Sequence, residues 1–335
     1  MVALTTRRLH LHLRHTFTIS RGSEDVAETV VLQLLADGTE ALGESAPVSR
    51  YGESPDLVSA ALERLALRDD DLWHFDDALA LLGDAMGARC ALDLALHDLA
   101  GKRLGIPVYQ LYELDPEKAL TTSFTIGIAD VATTLAKVHE AHHYPILKVK
   151  VGTEKDIETL EAIRSAYRGT IRVDANEAWS PDEAVRKLRE LERFDVEFCE
   201  QPIEAGHPEQ LRFVKERSKI PILVDEDSVT SADLPRLYGC VDGINIKLVK
   251  CGGLREALRM IHTARAMRLK IMLGCMIESS ILATAAAHLT PLCDFADLDG
   301  PLLVTDDPYV GVRYDGARMR LPDAPGLGVA LRRPT

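Results

Sequence analysis

Residues 146–200 read ILKVKVGTEKDIETLEAIRSAYRGTIRVDANEAWSPDEAVRKLRELERFDVEFCE. Three short apolar runs, at 146–151, 171–174 and 197–200, are separated by stretches at 156–167 and 180–192 whose apolar residues recur at helical spacing. Strand, helix, strand, helix, strand is the grammar of a parallel sheet covered by helices. It extends outward in both directions. Strand candidates lie at 121–126 upstream and at 222–225, 243–248, 270–274 and 295–299 downstream, with a further amphipathic helix at 254–267. Eight strands in succession with no low-complexity linker favour a closed β/α barrel over an open doubly wound sheet. No GxGxxG or Walker loop opens any of the helices, which removes the usual signature of nucleotide binding. Cys251-Gly252-Gly253 reads as a tightly packed strand-to-helix turn.

The first 115 residues follow another grammar. Leu9, Leu11 and Leu13 alternate with His10, His12 and Arg14, a period-two strand with one wet face. That reading makes His10, His12 and His15 surface groups and not a metal site. A second strand is expected at 30–35, then helices at 54–67 behind a Ser54 cap and at 88–104 before Gly105 and Pro107. Strands followed by helices suggest a small α+β domain.

The bulk properties narrow the function. The chain has 335 residues, a formal charge of −13 and 46% hydrophobic residues. No basic patch offsets the acidic balance, which argues against a nucleic acid or an anionic membrane as partner. The six cysteines, Cys90, Cys199, Cys240, Cys251, Cys275 and Cys293, show no paired spacing and suit a reducing compartment. The opening segment carries too much Arg and His for a signal peptide, and no apolar run reaches the ~20 residues of a membrane span. A cytoplasmic location is the expectation, and a homo-oligomer is left open.

A buried barrel strand should be apolar, yet nearly every one here ends in charge. The ends read Leu147-Lys148-Val149-Lys150, Val173-Asp174-Ala175-Asn176, Cys199-Glu200-Gln201-Pro202, Val224-Asp225-Glu226-Asp227, Ile244-Asn245-Ile246-Lys247 and Asp297-Leu298-Asp299-Gly300. Steps of 24, 26, 25 and 22 residues lead from Lys150 through Asp174, Glu200 and Asp225 to Lys247. Each is about one strand-plus-helix unit, so the side chains converge on the barrel mouth where active sites lie. Three carboxylates on neighbouring strands repel one another unless a cation sits between them. Oxygen-only ligation suits Mg²⁺ or Mn²⁺. Asn176 and Gln201 are placed to orient these ligands.

Lys148 and Lys150 share a strand face, and Lys247 lies several strands round the barrel. A lysine acts as a base only when neutral, and its free pKa of ~10.4 is too high. A nearby dication, a second lysine such as Lys148 and partial burial all lower it. A dication on a carboxylate also stabilises the enediolate that forms when the neighbouring carbon loses its proton. Two lysines on opposite faces then define a 1,1-proton transfer, that is, racemisation or epimerisation.

The order KxK, Asp, Glu, Asp, Lys resembles the muconate-lactonizing subgroup of the enolase superfamily, whose Lys or His bases with Mg²⁺ are a named general pattern. The resemblance covers nearly the whole chain. It implies a (β/α)7β modified TIM barrel at 116–304 and an α+β N-terminal capping domain at 1–115, completed by a tail at about 305–335. The mandelate-racemase branch needs a His on the seventh strand, which here reads Leu273-Gly274-Cys275-Met276. Asp297-Leu298-Asp299 and Gly274-Cys275-Met276-Ile277-Glu278-Ser279 resemble dipeptide epimerases. Asp297 and Asp299 would then bind a substrate ammonium. Thr18-Ile19-Ser20-Arg21-Gly22-Ser23 resembles the loop whose arginine grips the glutamate side chain in L-Ala-D/L-Glu epimerases, and Ser49-Arg50-Tyr51-Gly52-Glu53 their second cap loop. Thr125 would face the site from the first strand, and Lys148, Tyr51, Cys275 and Met276 would line it. The resemblance thus implies Lys150 and Lys247 as acid/bases, Asp174, Glu200 and Asp225 as metal ligands, and an isomerase in murein peptide metabolism. Other readings are a dipeptide epimerase of different side-chain specificity, a lyase of the o-succinylbenzoate synthase or muconate cycloisomerase kind, and a non-catalytic metal-binding barrel.

Overall fold

The structure, a computed structural model, describes residues 2–333. It opens with an antiparallel sheet of β1 (Val2–Ile19), β2 (Gly22–Ala36) and β3 (Thr39–Ser45). Helices α1 (Pro55–Glu63), α2 (Phe75–Ala80), α3 (Met86–Leu104) and α4 (Val108–Leu111) follow. The expected alternation in β1 holds: Leu9 and Leu11 are buried while His10 and His12 are exposed. The three histidines pair separately, His10 with Glu28, His12 with Asp306 and His15 with Glu140. The strands are far longer than the apolar windows that announced them, and β3 was not anticipated. Its pattern is interrupted by Gly43 and Glu44, both of which face α-helices; a Cβ at Gly43 would lie 1.8 Å from the Ala91 carbonyl oxygen of α3. Ser54 caps α1 as expected, accepting from Leu57 N at 3.2 Å, but the helix ends at Glu63, short of residue 67.

The barrel strands are β4 (Phe124–Ile126), β5 (Ile146–Lys150), β6 (Thr170–Asp174), β7 (Val196–Glu200), β8 (Ile222–Val224), β9 (Gly243–Lys247), β10 (Lys270–Gly274) and β11 (Phe295–Asp297). They pair in parallel in chain order. A parallel bridge from Thr122 to Ala296, with Ser123 N donating to Ala296 O at 3.2 Å, joins the last strand to the first and closes the ring. Outside it lie α5 (Val131–Glu140), α6 (Asp156–Ala166), α7 (Pro181–Leu191), α8 (Pro208–Lys215), α9 (Leu248–Cys251), α10 (Leu254–Ala266), α11 (Ser280–Ala287) and α12 (Gly300–Leu303). Four expected strands stop one or two residues early, and in two of them Asp225 and Asp299 consequently stand just beyond β8 and β11. Inside the ring, Phe198, Leu223, Met272 and Phe295 form an apolar floor. The buried Arg172 guanidinium lies over the rings of Phe198 and Phe295. Charge at the strand ends therefore sits above a dry layer.

Buried acids of the first part grip the barrel by helix N-termini. Glu44 on β3 accepts from Ser279 N at 3.1 Å, Ser279 Oγ at 2.6 Å and Leu282 N at 3.0 Å, at the start of α11. Asp93 on α3 accepts from Leu254 N and Arg255 N, at the start of α10. Gly253 makes room for it: a Cβ there would lie 2.4 Å from Asp93 Oδ2, and its φ of +117° is one that a side chain would strain. Both acids satisfy amide hydrogens that a helix leaves unpaired, and the helix dipole favours their charge.

Glu44→Ala strands three buried donors at once, so it is expected to cost on the order of 3 kcal/mol. A several-degree fall in the thermal midpoint, with faster proteolysis between β3 and α11, is the expected result. An unchanged midpoint would show that the Glu44 contacts contribute nothing to holding the cap on the barrel.

Candidate active site

The mouth of the barrel and the β1–β2 hairpin enclose a chamber of about 630 Å³. Thr125, Lys148, Lys150, Asn176, Asp225, Lys247, Cys275, Met276, Asp297 and Asp299 line it from the barrel, and Arg21, Arg50 and Tyr51 from the cap. The hairpin tip, Arg21 to Ser23, lines the chamber, and the pairing of β1 with β2 shifts register between His12 and Phe17 below it. Asp174, Glu200 and Gln201 lie deeper and are completely buried.

Strand register explains the convergence. Lys150 is paired with Asp174, and Asp174 with Glu200, across neighbouring strands. Lys148 Nζ lies 3.0 Å from Asp174 Oδ2, 2.7 Å from Glu200 Oε2 and 2.7 Å from Asp297 Oδ2. Lys150 Nζ donates to Asp174 Oδ2 at 2.6 Å. Lys247 Nζ lies 3.0 Å from Asp225 Oδ2, and the fully buried Lys250 Nζ holds Asp225 Oδ1 together with the carbonyls of Asp225, Ser228 and Asn245. The carboxylates are thus bridged by ammonium groups. Among the described residues no three acid, His or Cys side chains are drawn together at metal-ligand spacing.

The donor set nevertheless fits a hard divalent cation. Asp174, Glu200 and Asp225 supply oxygen only, from three consecutive strands, in a buried site. Glu200 Oε2 has an ammonium within reach but no hydrogen bond of proper geometry. Burial, and after it the charge of Asp174, pushes the Glu200 carboxyl above its usual range. Burial also works against Asp174 and Asp225, but the lysines hold both well below the usual carboxylate range.

The lysines depart from the sequence expectation. Burial penalises the charge of Lys148 and Lys247, as expected, and Lys148 further depresses Lys247. The surrounding carboxylates outweigh both effects, so each ammonium is held above its ordinary value. Residues alone do not make the base; the negative charge of the acids must be taken up elsewhere.

Asn176 acts through its backbone and Gln201 through its side-chain amide, and each meets a different candidate ligand. The backbone N–H of Asn176 donates to Asp174 Oδ1 at 2.9 Å, at a φ of +44°. Gln201 Oε1 accepts from Asp225 N at 3.0 Å and so fixes the backbone of that residue. The amide side chain that meets a candidate ligand's carboxylate is that of Asn245, whose Nδ2 donates to Glu200 Oε1 at 2.6 Å. Gly274 permits this, since a Cβ there would lie 2.5 Å from Asn245 Oδ1. Asn245 and Lys250 were missed in the sequence. A polar residue two before Lys247 on a buried strand was the available signal for the first.

At the eighth strand, Ser123 Oγ donates to Asp297 Oδ1 at 2.6 Å and Thr125 N to Asp299 Oδ2 at 2.6 Å. Burial, then Asp297, pushes the Asp299 carboxyl up to about 7. Burial opposes the charge of Asp297 too, but Lys148 holds its carboxyl below the ordinary value. Cys275 Sγ lies 3.8 Å from Asp299 Oδ1, and Met276 Sδ 3.8 Å from Lys247 Nζ. On the cap side, Arg21 is fully engaged. Nη1 donates to Asn176 O and Glu177 Oε2 at 3.0 Å each, and Nη2 lies 2.9 Å from Glu226 Oε1. Arg50 grips Glu177 with two nitrogens. Burial, then Asp225, raises the Tyr51 phenol.

Residues 1–112 match the mandelate racemase / muconate lactonizing enzyme N-terminal domain, and residues 130–335 the enolase C-terminal domain-like family. The chain is 37% identical to an L-Ala-D/L-amino acid epimerase of Maribacter sp., over 98% of this chain and 99% of that protein. It is 36% identical to an L-Ala-D/L-Glu epimerase of Bacteroides thetaiotaomicron, over 95% and 85%. A dipeptide epimerase of Enterococcus faecalis V583, complexed with Mg and L-Leu-L-Tyr, has a TM-score of 0.91 at 30% identity, covering 98% of both chains.

Asn245→Leu removes the donor to Glu200 without removing a ligand candidate. It is expected to weaken Mg²⁺ binding by roughly ten- to a hundredfold. Isothermal titration with MgCl2 measures this, and an unchanged isotherm would deny Asn245 that role.

Proposed function

The chain belongs to the mandelate racemase / muconate lactonizing enzyme family of the enolase superfamily, and we propose that it inverts the α-carbon of the C-terminal residue of L-Ala-D/L-Glu. At the coarser level it is a Mg²⁺-dependent dipeptide epimerase, an isomerase. The observation that carries the epimerase reading is the convergence of two lysine-bearing strands on a carboxylate set and an acidic pair at the barrel mouth.

Each group then has one task. Asp174, Glu200 and Asp225 would hold the cation, which when bound supplies positive charge to the substrate carboxylate and so acidifies the neighbouring C–H. Lys150 Nζ and Lys247 Nζ, approaching from β5 and β9, remove and return the proton on opposite faces. Lys148 ties Asp297 to Asp174 and Glu200, so the ammonium-binding end and the carboxylate-binding end share one rigid element. Asp297 and Asp299 receive the substrate ammonium, for which a lyase substrate lacking that group has no use. Burial of Lys148, Lys247 and the acids strengthens the electrostatic interactions around the reacting carbon.

Arg21 is the group for a glutamate side chain. Its two acidic partners can yield. Arg50 already holds Glu177 bidentately, and burial, then Asp225, pushes the Glu226 carboxyl up to about 7. A second reading, a broader side-chain specificity, is favoured by the same ion pairs, which balance the charge of Arg21 before any substrate arrives. We further propose that the catalytic barrel spans about 116–304, that the cap comprises 1–115 and the tail, and that the enzyme works in the cytoplasm on murein peptides. No helix among the described residues is long and apolar enough to cross a membrane.

A dipeptide library incubated with Mg²⁺ in D2O, read by mass spectrometry, is the direct test. L-Ala-L-Glu should gain one deuterium at the C-terminal α-carbon, and Asp299→Ala should abolish the gain; no exchange with any dipeptide would remove the activity. Arg21→Leu separates the two specificity readings. Loss of a charge-assisted contact predicts roughly a 10- to 100-fold fall in kcat/KM for L-Ala-L-Glu relative to L-Ala-L-Leu. An equal fall for both would mean that Arg21 only latches the hairpin.

A further inference from the structure

A second cavity among the described residues is larger than the catalytic chamber. A cleft of about 910 Å³ lies between β1, α5 and the segment after α12. Its lining is largely apolar and aromatic. Phe124 and Tyr144 stack at 4.4 Å between ring centroids, and Leu13, Leu302 and Val304 stand around them. Arg14, Lys137 and Arg333 are among the cationic residues that also border it.

Three residues, Phe17, Thr125 and Leu303, line both this cleft and the catalytic chamber. They form the wall between them. Thr125 is fixed within the wall, because its N–H donates to Asp299 Oδ2 and its chain is part of β4. Phe17 and Leu303 are held less tightly: both are only partly buried, one at the irregular end of β1 and one in the four-residue α12. Asp299, one of the two acids proposed to bind the ammonium, accepts from Thr125 N in this wall. On the reading proposed above, the N-terminal residue of the dipeptide is therefore the part of the substrate that faces it.

We propose that the outer cleft is a walled-off extension of the subsite for the substrate's N-terminal side chain, and that Phe17 and Leu303 restrict the enzyme to a small residue there. The cleft has charged residues at its border but offers apolar and aromatic surface and room for a Phe or Leu side chain, whose burial favours entry once the wall is cut back. This inference rests on the dipeptide epimerase reading and adds to it which residues set the N-terminal preference.

The test compares L-Phe-L-Glu with L-Ala-L-Glu in the same protein, by deuterium incorporation with Mg²⁺. The wild type should favour L-Ala. In Leu303→Ala and in Phe17→Ala the ratio of kcat/KM for L-Phe-L-Glu over that for L-Ala-L-Glu should rise at least tenfold. Leu302→Trp, at a residue lining only the outer cleft, should leave L-Ala-L-Glu turnover as it is and cancel the gain when combined with Leu303→Ala. Because each ratio is internal to one variant, partial loss of folded protein does not affect it. Turnover of L-Ala-L-Glu with an unmoved ratio in both wall variants would overturn the subsite alone. So would a gain that survives Leu302→Trp. No turnover of L-Ala dipeptides by the wild type would overturn both readings together.

Discussion

The structure depends on one arrangement: eight ionised side chains packed above an apolar barrel floor. Four carboxylates, Asp174, Glu200, Asp225 and Asp297, are interleaved with four ammonium groups, Lys148, Lys150, Lys247 and Lys250. Charges this deep are tolerated only when paired, because desolvation of each ion costs several kcal/mol. The formal charges of these eight side chains cancel. A dication entering it, or a substrate bringing its own carboxylates, must be balanced by the same groups. The cation, the acids and the protonation of the lysines therefore form one electrostatic unit, and no member can be understood alone.

Such a unit needs rigid walls. The strand registers supply them, since a one-residue slip would turn Lys150, Asp174 and Glu200 away from the mouth. Around the rim, backbone geometry is bent to the same purpose. Asn176, Glu177 and Gln201 all adopt positive φ directly after strands β6 and β7. Residues in that region cost free energy that the surrounding fold must outweigh, and they gather at functional sites. Here they aim Asn176 N at Asp174, Gln201 Oε1 at Asp225 N, and Glu177 at two arginines of the cap. The cap in turn is fastened by Glu44 and Asp93 to the N-termini of barrel helices, so the hairpin carrying Arg21 is registered against the mouth.

Much of this was legible in the sequence for a definite reason. Buried parallel strands are nearly pure apolar runs, so Lys150, Asp174, Glu200, Asp225 and Lys247 stood out at their ends, and regular spacing placed them on one rim. What was not legible depends on contacts distant in sequence. Asn245 reaches Glu200 across two strands and only because residue 274 is a glycine. Lys250 looks like any lysine after a strand until the turn of α9 folds it beneath Asp225. The engagement of Arg21 by Glu177 and Glu226 joins three separate loops. Strand β3 escaped notice because its apolar pattern is broken by the two residues, Gly43 and Glu44, that meet helices.

The central claim is that two lysines work on opposite faces of one carbon. It is tested by following α-proton exchange in D2O with Mg²⁺ for L-Ala-L-Glu and L-Ala-D-Glu separately, in Lys150→Ala and Lys247→Ala. Each variant should lose epimerisation entirely yet keep exchange with one diastereomer, and the two variants should keep opposite ones. Retention of the same diastereomer by both, or full epimerisation by either, would contradict the account.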